Sequence, residues 1–218
     1  VVSIYITGSR MSSFSWKSGQ FALFTFLQKG IPLQSHPFTI SYAPISKHEA
    51  RITVKAVGDY TSKLQQINPG AHVLIEGPYG VFGQQVEDEP QVLLVAGGIG
   101  ITPMSALFER YARNGRTVTL LYSAQTKADL VLKAELDSIA GQFENANVVY
   151  ITEDSTTDRG IVSGRISAEL ITKYVPGLLG RRVFICGPPV MMNAMTKTLI
   201  SLGFPKKKIF SERFSFLR

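Results

Sequence analysis

The hydrophobic rhythm of the chain changes once, near residue 90, and this change limits the possible folds more than any other feature. In "RITVKAV" (51–57) Ile52, Val54 and Ala56 alternate with Arg51, Thr53 and Lys55, the period-two pattern of a strand with one buried face. The runs "VVSIYI", "GQFALFTFL", "HPFTIS" and "AHVLIEG", broken by Gly, Pro and Ser, extend this character over the first 80 positions. They read as an antiparallel Greek-key β-barrel interrupted by one short helix over 60–67. Beyond residue 90, "QVLLVA", "TVTLLYS", "NVVYIT" and "RVFICG" are continuous apolar runs, as expected for strands covered on both faces. Met104, Leu107, Phe108, Tyr111 and Ala112 share one helical face ended by "NG". Met191, Ala194, Met195, Leu199 and Leu202 share another, ended by Gly203. Strands alternating with helices predict a doubly wound parallel α/β domain. The boundaries implied are 1–86 and 90–218, with acidic "EDEP" at 87–90 as a polar connector.

Composition narrows the function classes. With 218 residues, 44% hydrophobic and 18% charged, the chain has the make-up of a water-soluble globular protein large enough for two cores. Its apolar runs are too short and glycine-rich to cross a bilayer, and no signal peptide opens it. It begins at Val1 inside an apparent strand, which suggests either an excised piece of a longer protein or a chain with a disordered front end. Cys186 is the only cysteine, excluding an intrachain disulfide, a cysteine-ligated iron–sulfur cluster and a cysteine-rich zinc site. His36, His48 and His72 lack metal-site spacing, so no metal is expected. The net charge of +7 comes from scattered residues, apart from "KKK" at 206–208, and reads as a solvated surface. The barrel has no aromatic stripe interleaved with basic residues, so no nucleic-acid partner is expected.

Two strand-to-helix turns carry the strongest chemical signal. In "VLLVAGGIGITPMSALF" (92–108) a buried strand runs into a glycine-rich turn, and Pro103 opens an amphipathic helix at its first position. Such a turn lets backbone approach a pyrophosphate at a helix N-terminus, although proline replaces the third glycine of the dinucleotide fingerprint. "RVFICGPPVMM" (182–192) repeats the arrangement. Ligands of doubly wound sheets bind outside the carboxyl ends of the strands, so both turns should line one mouth. There Cys186 is either inert packing or a neighbour of the ligand. In the first half, "VGDYTSKLQQ" (57–66) starts a helix with Asp59 and Thr61, which are either caps or part of a second anion site. Two such helix ends suggest two nucleotides.

"HPFT" at 36–39, "VKAVGDYTSKL" at 54–64, "GPYG" at 77–80, "GGIGITP" at 97–103, "CGPPVMM" at 186–192 and "SERF" at 211–214 follow the order of motifs in the ferredoxin–NADP reductase superfamily. The forms HPFT and CGPP resemble the branch holding the dehydrogenase domains of NADPH oxidases and ferric reductases. The resemblance implies an FAD-binding barrel followed by an NAD(P)-binding α/β domain. Phe38, after Pro37, would lie against the isoalloxazine, and Thr39 would donate a hydrogen bond to the flavin nitrogen that receives hydride. His36 would stand where many relatives carry an arginine for the FAD pyrophosphate, as a weaker, pH-dependent charge. The other reading makes Phe38 and Ile40 core residues and His36 a satisfied surface group. Backbone around Thr53, Val54 and Lys55 would hold the flavin and ribityl edge, with Tyr60, Thr61 and Ser62 at the FAD pyrophosphate. Gly97, Gly98, Ile99, Gly100, Ile101 and Thr102 would take the NAD(P)H pyrophosphate. Cys186 would neighbour the reacting nicotinamide carbon, flanked by Gly187, Pro188 and Met191, with Glu212 near the rings. Phe214, or alternatively Phe216, would cover the flavin. Ser123 and Gln125 would meet the adenosine ribose. Lys127, Arg159 and Arg165 are the cations available for the extra phosphate of NADPH, which leaves NADPH or NADH open.

The activity implied is hydride transfer from NAD(P)H to FAD and release of single electrons. The receiver would be the haem of a preceding transmembrane domain, for oxygen or ferric iron, which puts the chain on the cytoplasmic side of a membrane. A free-standing NAD(P)H–flavin or ferredoxin reductase is the alternative enzyme. A non-enzymatic barrel fused to a nucleotide-sensing domain is the alternative of another class.

Overall fold

The computed structural model describes residues 1–42, 48–84, 89–154, 158 and 160–214. The first half comprises β1 (Val2–Thr7), β2 (Phe21–Leu27), β3 (His36–Thr39), β4 (Glu49–Val54), α1 (Asp59–Leu64) and β5 (His72–Tyr79). β1 pairs with β4, and β2 pairs with β3 and β5, all antiparallel. An Ile40–Ile52 bridge and a 2.8 Å bond from Ser41 N–H to Arg51 O join the two sheets. The alternation in β2 is the one its sequence prescribes: Ala22, Phe24 and Phe26 are buried while their neighbours are half-exposed. They pack with Ile6, Ile40, Ile52, Val54 and Leu64.

Two expectations need correction here. β4 is buried along most of its length, with Arg51 only 2% and Thr53 only 5% exposed. Its polar face is covered rather than open to water, Arg51 by Glu135 of the other half and Thr53 by Ser3 and Ser41 of its own. The strand stops at Val54, so Ala56, expected on the buried face, is exposed. α1 also ends earlier than the 60–67 expected, tightening into i→i+3 bonds from Gln65, Gln66 and Ile67.

The second half runs β6 (Gln91–Gly97), α2 (Ile101–Arg113), β7 (Thr117–Ala124), α3 (Lys133–Gln142), β8 (Ala146–Thr152), β9 (Ile161–Ser163), α4 (Ala168–Tyr174), β10 (Arg182–Cys186), α5 (Pro189–Ser201) and β11 (Ile209–Glu212). All strands pair in parallel, in the order β11-β10-β6-β7-β8-β9. Alternate residues serve opposite cores. Leu94, Ala96, Leu120, Tyr122, Phe184 and Cys186 lie in the cluster under α2. Leu93, Val95, Leu121, Val183 and Ile185 pack with Met192, Met195 and Leu199 of α5. That two-sided burial is why the strands read as continuous apolar runs. The fold is the one expected, antiparallel sheets followed by a doubly wound parallel sheet. α2 begins at Ile101 after a 3₁₀ turn over Gly98–Gly100, so Pro103 is its third residue rather than its first.

Phe82 leaves the first half to join the core under α2, edge-on to Phe184 at 5.3 Å and 90°. Within "EDEP", 87 and 88 lie outside the described residues. Glu89 is anchored rather than freely solvated, bonding Arg182 at 3.1 Å and Lys208 at 3.4 Å. Among the described residues no helix is long and apolar enough to cross a membrane.

Candidate functional site

The strand order reverses at β6, which has β7 on one side and β10 on the other, and a crevice at such a switch point is where doubly wound sheets bind ligands. The turns after β6 and β10 press together. A Cβ on Gly100 would stand 2.3 Å from Cys186 O, and one on Gly97 2.4 Å from Met191 Sδ. One on Gly187 would come within 3.0 Å of Gly97 backbone. Gly100 is therefore held small by backbone of the opposite turn, whereas Gly97 and Gly187 face chiefly the flexible Met191 side chain. Gly98 differs: its φ is +52°, and no atom lies within 4 Å of where its Cβ would be. Gly98 and Ile99 are half-buried, whereas Gly97, Gly100, Ile101 and Thr102 are buried. Thr102 Oγ1 donates to Ile99 O at 3.1 Å, bracing the turn from beneath. Of the six residues expected at the NAD(P)H pyrophosphate, the structure leaves Gly98 and Ile99 accessible.

Cys186 ends β10 with Ala96 and Glu212 beside it in register. Its side chain is fully buried in the cluster under α2, on which Phe214 also packs. Burial first, then the charge of Glu212, pushes the thiol well above its ordinary range. Burial likewise raises the Glu212 carboxyl. Phe214 is half-buried and packs on the same cluster, while Gly187 and Met191 are half-buried and Pro188 exposed. Phe216 lies outside the described residues.

In the first half, Thr39 is half-exposed in β3 opposite Phe21. Phe38 is half-buried, 6.2 Å from Phe24 and 51° from parallel to it, and Pro37 is exposed. Phe38 is thus a core side chain that still presents surface. The His36 ring stacks on Tyr60, and burial lowers its pKa from 6.5. Tyr60 donates its hydroxyl to Gln34 O at 3.2 Å. Thr61 Oγ1 accepts from Val57 N–H at 3.0 Å and Gly58 N–H at 3.1 Å and donates to Gly58 O at 3.0 Å. Thr61 thus caps the start of α1. Asp59 and Ser62 are exposed. The Thr53 hydroxyl lies between Ser41 Oγ at 2.9 Å and Ser3 Oγ at 3.1 Å, and Val54 O accepts from Gln65 Nε2 at 3.1 Å.

The seam between the halves brings Lys55, expected at the flavin edge, together with residues not expected at a site: Asp129, Arg51, Glu135 and Ser105. Lys55 pairs with Asp129 at 3.1 Å, and Arg51 pairs with Glu135 through both nitrogens, Nη2 to Oε1 at 2.9 Å. Ser105 Oγ of α2 donates to Ser41 O at 3.3 Å. The only local sign was an arginine within a strand-like run, and its partner stands 84 positions away.

At the other end of the crevice, Ser123 is half-buried in β7 and Gln125 exposed after it. Gln125 O accepts from Glu153 N–H at 3.1 Å and Asp154 N–H at 3.2 Å. Lys127 forms an ion pair with Asp158, and Arg165 with Glu153 at 2.8 Å. Arg159 lies outside the described residues. The two described candidates for an extra phosphate are thus engaged with carboxylates.

An FAD-binding domain family matches residues 2–82, and an oxidoreductase NAD-binding domain family matches 94–197. The chain is 30% identical over 180 residues to NADH-cytochrome b5 reductase 1 of Dictyostelium discoideum, with 78% of this chain and 63% of the relative covered. It is 32% identical over 187 residues to the Aspergillus clavatus protein of the same name, with 79% and 60% covered. It therefore spans less than two thirds of these relatives' length. Among solved structures, the flavohem-like FAD/NAD-binding domain of a Vibrio cholerae nitric oxide dioxygenase superimposes with a TM-score of 0.84 at 21% identity, covering 97% of this chain and 91% of that one. Flavohemoglobin of Malassezia yamatoensis gives 0.75 at 29% identity, covering 91% and 52%.

Proposed function

We propose that this chain, which joins an FAD-binding domain to an oxidoreductase NAD-binding domain of the ferredoxin–NADP reductase type, is an NADH-dependent flavin reductase that supplies electrons to a haem protein. Bound FAD accepts the electron pair of a nicotinamide hydride and can release it in single steps. The observation that carries this reading is the join between the halves. Two residues beyond the end of β3, which bears Thr39, the carbonyl of Ser41 accepts from Ser105 in the helix after the Gly98 turn. The two candidate nucleotide sites thereby share one seam.

In this reading Thr39 holds the reacting edge of the flavin and Phe38 supports its ring. The backbone N–H groups at Gly98 and Ile99, at the start of α2, receive the NADH pyrophosphate. Residues here fit such a group, because the positive φ and open space at Gly98 allow an approach that a side chain would obstruct. Displacement of Phe214 uncovers the end of β10, so that Cys186 and Glu212 border the nicotinamide. NADH is favoured over NADPH because Lys127 and Arg165 already hold carboxylates. The names of the two curated relatives, NADH-cytochrome b5 reductases, support a haem protein as acceptor. The motif forms HPFT and CGPP favour a second reading, in which a covalently preceding transmembrane haem domain receives the electrons and passes them to oxygen or ferric iron.

Anaerobic titration of the FAD-loaded chain tests the first step. The flavin colour should bleach with NADH, and more slowly with NADPH; a flavin that stays oxidised with both rules the reading out. Paired histidines on membrane-spanning segments encoded upstream would decide for the second acceptor.

A further inference from the structure

Arg51 is the bulkiest of the fully buried side chains among the described residues, and it stands on the seam. Its Nη1 and Nη2 grip both carboxylate oxygens of Glu135 in α3, while Nη2 also donates to Ser41 O and Nε to Ser41 Oγ at 3.2 Å. The rings of Tyr42 and Tyr5 lie 5.3 and 6.0 Å from the guanidinium carbon. A buried ion pair is a poor source of net stability, since desolvation offsets its attraction and a packed apolar pair of similar volume often does as well. A two-pronged arginine–carboxylate contact does confer direction, because the planar fork accepts only a narrow range of angles. The direction fixed here runs between Ser41, two residues beyond the end of β3, and a helix of the opposite half. Ser105 holds the same Ser41 carbonyl from α2, the helix whose start is the Gly98 turn. One carbonyl is thus held directly from α2 by Ser105 and, through Arg51, tied to Glu135 of α3.

We propose that Arg51 is a positioning residue for hydride transfer: locked to Glu135, it sets the placement of the Thr39 strand against the nucleotide half, and with it the gap between the two rings. This rests on the flavin-reductase reading above. Hydride transfer is far more sensitive to ring separation than nucleotide binding is, so the loss should fall on the transfer rate.

The test uses Glu135→Gln and the doubly apolar Arg51→Met/Glu135→Leu, which leaves no buried charge unpaired and so retains the fold. Spin labels at Leu74→Cys and Ile200→Cys, both exposed and one in each half, report the spacing of the halves without any cofactor. The native Cys186 is buried and does not compete for label. Both variants should broaden or shift the distance distribution. They should slow flavin reduction at saturating NADH by about tenfold to a hundredfold while changing the NADH Kd by less than about threefold. A parental distance distribution, or a parental reduction rate, in the doubly apolar variant overturns the proposal. If the parental chain itself fails to reduce flavin, the functional reading is at fault, and the label distances still report on the Arg51 contact.

Discussion

The rings of His36 and Tyr60 lie with centroids 3.7 Å apart and planes 30° from parallel. One belongs to the start of β3 and the other to the first turn of α1, so the stack clamps together two segments of the proposed FAD site. Burial lowers the His36 pKa from 6.5. The unfolded chain therefore takes up the proton first as pH falls, and stability is lost from the ordinary value down to the folded one, with none lost above it. Replacing His36 with Phe keeps a ring on Tyr60 and removes the proton. Thermal melts from about pH 7.5 to about pH 5 should show the parental Tm falling relative to the His36→Phe variant. Parallel curves would mean that this imidazole does not couple folding to pH.

Neighbouring glycines should fail in different ways. Gly100→Ala drives a methyl into the Cys186 carbonyl and should cost about 2–3 kcal/mol in urea unfolding, as overpacking does. Gly98→Ala meets only the strain of a left-handed φ, about 1 kcal/mol, yet should weaken NADH binding by intruding on the pyrophosphate. Titration of NADH against each variant separates the two; unaltered affinity in Gly98→Ala would remove the turn from the nucleotide site.

Cofactor choice should respond to Glu153. Glu153→Gln releases Arg165 from its carboxylate and should raise the ratio of kcat/KM for NADPH over NADH by about two- to fivefold, a modest change because the pair is solvated. Steady-state rates with both cofactors measure it. A ratio that stays put would place the ribose phosphate elsewhere.

Cys186 should be chemically silent. It is fully buried with a raised pKa, so the folded chain should show negligible reaction with a disulfide reagent and yield its single thiol only in denaturant. Rapid labelling of the native chain would reveal that β10 opens readily, and saturating NADH would then be expected to alter that rate.

The features legible in the sequence are those that repeat along the chain. β2 and the parallel strands declare themselves because alternation and continuous apolarity are local consequences of one-sided and two-sided burial. The glycine turns after β6 and β10 are equally visible, but their division of labour is not. Gly100 is small because of the Cys186 backbone, and Gly97 faces Met191, contacts made across the sheet. Arg51 misleads for the same reason: its period marks it as polar and outward, and outward here faces Glu135 in the other half. Thr61 is legible only as a choice between cap and anion ligand, and its capping bonds to Gly58 appear only once the backbone is folded.

Phe82, the ring that the barrel half lends to the core around Phe184, is pinned there through the adjacent glycine, since Tyr111 and Arg110 both donate to Gly83 O. The core of the nucleotide half is therefore completed by a ring from the other half. Any gene fusion or recombination that grafts it onto a foreign barrel must bring its own aromatic plug, or leave a hole in the interior large enough for a benzene ring.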